Sequence, residues 1–269
     1  MSDTDLEGLE VISRQPPAKV SRHGTPLLFL HGAYAAAWCW DEHFLPYFAE
    51  RGYAAHALSV SGHGGSPGRE HLDSFGIDHY VKDVVEVVAQ LPAPPVLVGH
   101  SMGGMVAQKY LEGHEAAGLV LMSSVPPQGL WAAALGLAFQ KPGLMSDLNS
   151  LLGGGRVALD TLREAMFAQP VGVEDLKRWY RRLQPESHRA IWDMTLFNLP
   201  LKSRMRLPPL LVLGAEHDSL IPSSQVAMTA RHYGVDAEIF PGMGHGMMLE
   251  RDWAQVAGRI YDWLGEQGL

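Results

Sequence analysis

The sequence predicts an α/β chain: a mostly parallel, doubly wound sheet with an all-helical segment inserted into it. Three observations carry this. Short apolar runs alternate with segments of helical periodicity, and a strand that is apolar at every residue is one covered on both faces. The alternation stops after Pro126, gives only helical patterns as far as Arg206, and resumes at Leu207. Within the first half, Gly99-His100-Ser101-Met102-Gly103 joins an apolar run directly to a helical one. The chain therefore divides into a core of residues 1–126 and 207–269 and a helical cap of residues 127–206. At roughly eighty residues, that insertion is far longer than an ordinary connection.

Taken in order, residues 1–25 are polar and Pro-rich, with an edge strand expected around Glu10 to Ser13. Pro26 to Leu30 reads as a buried strand feeding His31-Gly32-Ala33-Tyr34. Trp40, Phe44, Leu45 and Phe48 fall at helical spacing, so a helix is expected from Trp40 to Glu50, ended by Gly52. Tyr53 to Val60 is the next strand and runs into a loop, Ser61 to Pro67. Ile77 to Leu91 is a helix stopped by Pro92 to Pro95. Pro95 to Val98 is a strand, Met105 to Glu112 a helix, and Gly118 to Ser124 a strand. The cap carries helical patterns over 130–139, 144–152, 157–168, 173–183 and 186–198, with Gly153-Gly154-Gly155 as a joint. Leu207 to Gly214 and Ala237 to Phe240 are strands, each followed by a helix, 221–233 and 252–264.

Composition narrows the function classes. The 269 residues suffice for a full core, and 46% hydrophobic with 19% charged residues is ordinary for a globular domain. A net charge of −8 without a basic block argues against nucleic acid or an anionic membrane surface as partner. The longest apolar window, Gly129 to Phe139, is too short for a membrane span, so no stable membrane anchor is expected. Met1 to Glu10 lacks the basic start and apolar centre of a signal peptide, and Cys39 is the single cysteine. A cytoplasmic location is expected from these two features. Cys39, between Trp38 and Trp40, reads as packing.

The chemistry centres on Ser101. A serine on a tight strand-to-helix turn presents its hydroxyl outward, and Gly99 and Gly103 let strand and helix pass closely. Its neighbour His100 belongs to the same turn. A nucleophile needs a base, an acid and an oxyanion site. Asp218 follows the Leu207–Gly214 strand, and His245 follows Ala237–Phe240. Alone, the first reads as a helix N-cap and the second as a packed or solvated ring. Together, in the order Ser…Asp…His and each after its own strand, they form a candidate triad. For the oxyanion, Gly32 allows a turn that aims the Ala33 amide at Ser101, and the Met102 amide at the helix start is the second donor. Tyr34 is the rival donor if the loop is shifted by one, and His31 supports the loop. Two such amides lower an acyl-transfer barrier by about 3 kcal/mol each in a comparable enzyme.

With these loops in place, the chain resembles the α/β-hydrolase superfamily, of the esterase/lipase-like kind with a helical cap. The resemblance covers the His31-Gly32 loop, Gly62-His63-Gly64-Gly65-Ser66, the Gly99–Gly104 turn, and the Asp218 and Gly244-His245 loops. It implies the α/β-hydrolase fold and cleavage of carboxylic esters through an acyl-enzyme on Ser101, with no metal and no organic cofactor. In relatives the loop before Gly62 often reads Asp-x-x-Gly-His-Gly, whereas here Ser59 stands first. A charge network built on that Asp is missing here or supplied otherwise, and His63 is taken as structural.

The cap supplies Trp131, Phe139, Met166 and Trp192, which with Tyr34 are candidates for the substrate pocket. Leu135, Met145, Phe167, Trp179, Met194 and Phe197 are further apolar residues there. They point to a small-molecule ester with an apolar, uncharged acyl group, lactones or small acylglycerols included. Lys177-Arg178 and Arg181-Arg182 read as a solvated helix face. Two alternatives stay open. The same fold and triad serve C–C bond hydrolysis, hydroxynitrile lysis or cofactor-free oxygenation, and a non-catalytic small-molecule receptor could use the pocket without turnover.

Overall fold

The apolar runs become seven strands of one sheet: β1 (Val11–Arg14), β2 (Leu27–Leu30), β3 (Ala55–Leu58), β4 (Val96–His100), β5 (Gly118–Met122), β6 (Leu210–Ala215) and β7 (Ala237–Phe240). This architecture comes from a computed structural model that describes residues 8–140, 143, 146, 147, 150, 155 and 158–269. The strand order is β1-β3-β2-β4-β5-β6-β7, and only β1 runs antiparallel, with Val11 opposite Leu58. Leu30 lies opposite Gly99, His100 opposite Met122, and Met122 opposite Leu213.

The central strands β2, β4, β5 and β6 are apolar but for His100, because successive side chains face opposite layers and both are covered, whereas β1, β3 and β7, toward the ends of the sheet, carry Ser13, Arg14, His56 and Glu238. Leu27, Phe29, Val96, Val98, Val120 and Met122 pack on one side, against α1 (Trp38–Asp41), α2 (Phe44–Ala49) and the last helix, Trp253–Gln267. Leu28, Leu30, Leu97, Leu119 and Leu121 pack on the other, against α3 (Ile77–Val88), α4 (Met102–Tyr110) and a helix at Ser223–Tyr233. All eleven are buried, and each contributes about 1.5–3 kcal/mol of apolar burial.

The helix expected over Trp40–Glu50 is two helices. Pro46 has no N–H to give the carbonyl four residues back, so the chain breaks at His43 (φ −142°) and restarts with Pro46 in the first turn of α2.

Between β5 and β6 the chain forms α5 (Trp131–Gln140), α6 (Leu159–Met166), α7 (Val173–Tyr180) and α8 (His188–Trp192). A π-helical turn (Asp193–Phe197) and a 3-10 turn (Lys202–Arg204) follow, and among the described residues no strand interrupts them. The two helices after it are α9 (Ser223–Tyr233) and α10 (Trp253–Gln267). Most of the helix expected over 144–152, with Met145 and the Gly153-Gly154 joint, lies outside the described residues. Among those described, no helix is long and apolar enough to cross a membrane.

The carboxylate missing at position 59 comes from Glu10, just before β1. Ser59 Oγ donates to Glu10 Oε2 and accepts the Ala37 amide at 2.9 Å, and the Glu10 amide donates to Ser66 Oγ at 2.8 Å. A serine plus a distant glutamate thus holds the loop before Gly62.

The strand order reverses between β2 and β4. The chain leaves β2 for β3 on one side and later enters β4 on the other. The crevice beyond the carboxyl ends of such strands is where doubly wound sheets bind ligands. His31–Tyr34 and Ser101 both emerge there.

Candidate active site

β4 ends at His100, and α4 begins at Met102, leaving Ser101 alone to make the turn at φ 51° and ψ −117°. That conformation costs a non-glycine residue about 1–3 kcal/mol and persists because its neighbours hold it. The Ser101 amide donates to the Met122 carbonyl at 3.1 Å, and the Ser101 carbonyl accepts from Gly104 and Val125. Gly103 is required by space, since a Cβ there would lie 2.2 Å from the Leu30 carbonyl oxygen on β2. Gly32 is required likewise, its added Cβ falling 2.9 Å from His100 Nδ1 and 3.1 Å from Ser101 Cβ. The loop after β2 therefore lies directly against the turn at Ser101.

His31 fastens that loop. Its Nδ1–H donates to the Gly32 carbonyl at 2.8 Å, and its Nε2 accepts the Val60 amide at 3.2 Å. Burial, then the charge of His63, push the His31 pKa down to about 3, so the ring is neutral. Among the described residues the Ala33 and Met102 amides have no acceptor. The Tyr34 amide, the rival donor, is occupied: it points to Glu186 Oε2 at 3.4 Å.

The loop after β7 carries His245, which is buried, as is Asp218 in the loop after β6. His245 Nδ1 donates to Asp218 Oδ2 at 2.8 Å, while Asp218 Oδ1 accepts the Leu220 and Ile221 amides, both at 2.8 Å. Burial opposes the charge of Asp218, but His245, the Ile221 amide and the Ser123 hydroxyl outweigh it and hold the carboxyl below its usual range. A proton fixed on Nδ1 leaves Nε2 of the ring as a proton acceptor. His100 Nε2–H donates to the His245 carbonyl at 2.9 Å, tying the residue before Ser101 to the His245 loop. Burial lowers the His100 pKa to about 3.

Ser101, His245, Gly32, Ala33 and Tyr34 border one cavity of about 470 Å³. Among the described residues its walls include no Asp, Glu, Lys or Arg. Met166 and Trp192 line it, as the cap sequence suggests. Trp131 and Phe139 do not. α5 turns Ala133 and Ala134 to the cavity, beside Leu130 just before it, while Trp131, Leu135 and Phe139, spaced four residues apart, form its exposed face. Sequence reasoning missed Trp38, Cys39 and Leu183, and it left Phe167 and Trp179 undistinguished among the cap residues; all five line the cavity. Phe167 stacks on Trp179, with ring centroids 5.5 Å apart. No local motif marks these positions, because the fold brings them in from separate elements.

Ser101 and His245 make no hydrogen bond to each other among the described residues, a spacing common in unliganded sites. His63 lies outside the cavity wall and pairs with the buried Glu186 at 3.1 Å. The basic residues on and just after α7 do more than face solvent: Arg178 and Arg182 reach Glu42 of the core at 2.7 and 3.4 Å. Among the described residues no cluster of three or more His, Cys, Asp or Glu side chains could hold a metal ion.

Comparison with known proteins adds four findings. A model of the alpha/beta hydrolase family matches residues 27–259. A pyrethroid hydrolase of Sphingobium wenxiniae is 31% identical over 103 residues, which cover 38% of this chain and only 36% of that protein. The Oryza sativa subsp. indica protein named "Probable esterase PIR7A" is 25% identical over 226 residues, 81% of this chain and 77% of its own length. Among solved structures, an esterase from Exiguobacterium antarcticum superposes with a TM-score of 0.70 at 19% identity. That match covers 96% of this chain and 95% of the other, a likeness of fold.

Proposed function

The chain belongs to the alpha/beta hydrolase family, and on that premise we propose that it is a serine esterase cleaving apolar, uncharged carboxylic esters. The observation that carries this reading is that His245, hydrogen-bonded to Asp218 behind it, borders the same cavity as Ser101, whose described walls carry no Asp, Glu, Lys or Arg. The names of the hydrolase and esterase relatives support it.

In this mechanism His245 Nε2 takes the Ser101 hydroxyl proton as Oγ attacks the ester carbonyl carbon. Asp218 stabilises the imidazolium that forms, and the Ala33 and Met102 amides hold the negative oxygen. The carbon–oxygen bond to the alcohol then breaks, and the alkoxide leaves with the proton from His245. Water, deprotonated by His245, attacks the acyl-enzyme and releases the acid, restoring Ser101. Residues 127–206 act as the cap: α5, α6, α7 and α8 contribute lining residues, so substrate choice lies largely with them. Lactones and small acylglycerols fit the same apolar walls. A hydroxynitrile lyase reading calls for a lysine or another polar group at the cleft; the described cavity walls hold no lysine, and their polar side chains beyond Ser101, His100 and His245 are Tyr34, Thr161 and Thr195.

The test is hydrolysis of p-nitrophenyl esters of increasing acyl length by wild type and Ser101→Ala. Turnover by wild type that is abolished in the variant supports the reading. Hydrolysis unchanged in the variant overturns it.

A further inference from the structure

The loop carrying Ala33 is gripped from the cap. Tyr34 adopts φ 64°, a left-handed conformation unfavourable for a bulky residue. Three contacts from one short stretch between α7 and α8 surround it. Glu186 Oε2 accepts the Tyr34 amide at 3.4 Å, the Gln184 amide donates to the Tyr34 carbonyl at 3.1 Å, and Gln184 Nε2 donates to the Ala35 carbonyl at 2.8 Å. The Tyr34 amide belongs to the peptide unit immediately after Ala33. Fixing that unit limits the backbone rotation that would turn the Ala33 amide away from Ser101.

Glu186 is itself held from four sides. Besides Tyr34, His63 Nε2 donates to Oε2 at 3.1 Å, and the Tyr80 hydroxyl and Ser187 amide donate to Oε1 at 2.9 and 2.8 Å. His63 Nδ1 donates to the Ser61 carbonyl at 3.1 Å, so both ring nitrogens are donors and the ring is an imidazolium. Burial works against both charges, yet each raises the other's preference for its charged form. The His63 pKa is held above, and the Glu186 pKa below, its ordinary value. A fully buried ion pair with every lone pair engaged is geometrically rigid. It joins the cap to α3, to the His63 loop and to the loop after β2, and it does not border the cavity.

We propose that Glu186 is a positioning residue for the oxyanion hole, acting through Tyr34, so that seating the cap and orienting the Ala33 amide are one event. The inference rests on the Ser101 reading above. It separates the cap's two jobs: the helices shape the cavity, and the Gln184–Glu186 stretch sets the donor geometry at the reacting carbonyl.

Glu186→Gln is expected to lower kcat by about 10- to 100-fold, below the loss seen when an oxyanion donor is deleted outright, with KM changed less than about twofold. The discriminating readout uses two inhibitors of one shape. An aryl trifluoromethyl ketone forms a hemiketal oxyanion on Ser101, and the matching secondary alcohol fills the cavity without one. In Glu186→Gln the ketone should weaken in step with kcat while the alcohol binds as to wild type. Where Glu186→Gln does not fold, Gln184→Ala loosens the same grip and should show the same pattern at smaller size. A folded variant with wild-type kcat and ketone affinity overturns the proposal, as does equal weakening of ketone and alcohol. If the ketone fails to inhibit wild type at all, the Ser101 reading falls and takes this inference with it.

Discussion

His245 Nδ1 and Asp218 Oδ2 lie 2.8 Å apart, both side chains buried, with the other Asp218 oxygen held by two backbone amides. The carboxylate cannot rotate away, so it sets both the ring's tautomer and its plane. An Asn at 218 would offer an amide N–H to Nδ1 and force the proton to Nε2, where a base is needed. Asp218→Asn should therefore lower kcat by a factor on the order of 10⁴, the loss seen for the same change in a comparable triad. Steady-state kinetics on one p-nitrophenyl ester decide it. Near-wild-type turnover would hand the acid's role to another residue.

Gly103→Ala should destabilise the fold by about 2–4 kcal/mol, because its Cβ meets the Leu30 and His31 backbone, which cannot swing aside as a side chain could. Gly265→Ala, in α10 with nothing within 4 Å of the added carbon, should stabilise by about 0.5–1 kcal/mol. Urea unfolding of the pair separates close approach from mere glycine content.

Acid should weaken the fold before it reaches the carboxylates. His31 and His100 have pKa values of about 3 in the folded chain against 6.5 ordinarily, so below pH 6.5 the unfolded chain binds protons that the folded one refuses. Stability is then lost as pH falls, at most about 1.4 kcal/mol per pH unit for each ring. Asp218 and Glu186, both held low, add to the loss as pH falls through their folded pKa values, while Asp83 and Glu250, held high by burial, offset part of it. His63, held high, acts in the opposite window: its contribution is complete below 6.5 and is lost as pH rises through its folded pKa. Unfolding free energy should fall by about 2–4 kcal/mol from pH 6.5 to 5. A flat profile would mean that the two rings charge freely in place.

Filling the cavity from the cap should narrow the substrate range without touching the chemistry. Ala165 of α6 is buried and lines the cavity. Ala165→Phe is expected to raise KM for a long or bulky acyl ester by about tenfold or more and leave the acetate within about twofold. An equal effect on both esters would place Ala165 away from the acyl group.

The sheet was legible because its central strands are short, nearly uniform apolar runs, and the turn at Ser101 because its glycines sit within five residues. Asp218 and His245 were legible for a related reason: each directly follows a strand of one parallel sheet, and such loops converge. The facing of α5 was not. Its residues are apolar nearly all round, so periodicity could not say that Ala133 turns inward and Trp131 outward; packing on the core decided it. Glu186 was invisible for another reason. Its partners Tyr34, His63 and Tyr80 stand 152, 123 and 106 residues away, and no local pattern spans that distance. The Glu10–Ser59 replacement is hidden in the same way, by a separation of 49 residues.

The proposed mechanism places the covalent bond to the acyl group on Ser101. The direct measurement mixes the protein with a p-nitrophenyl ester of an apolar acid, quenches in acid within the first turnover, and maps the peptides by mass. One acyl group per chain is expected, carried on Ser101, absent from Ser101→Ala and accumulating to the same extent as the initial p-nitrophenol burst. Full turnover with no acyl adduct, or an adduct on any other residue, would contradict it.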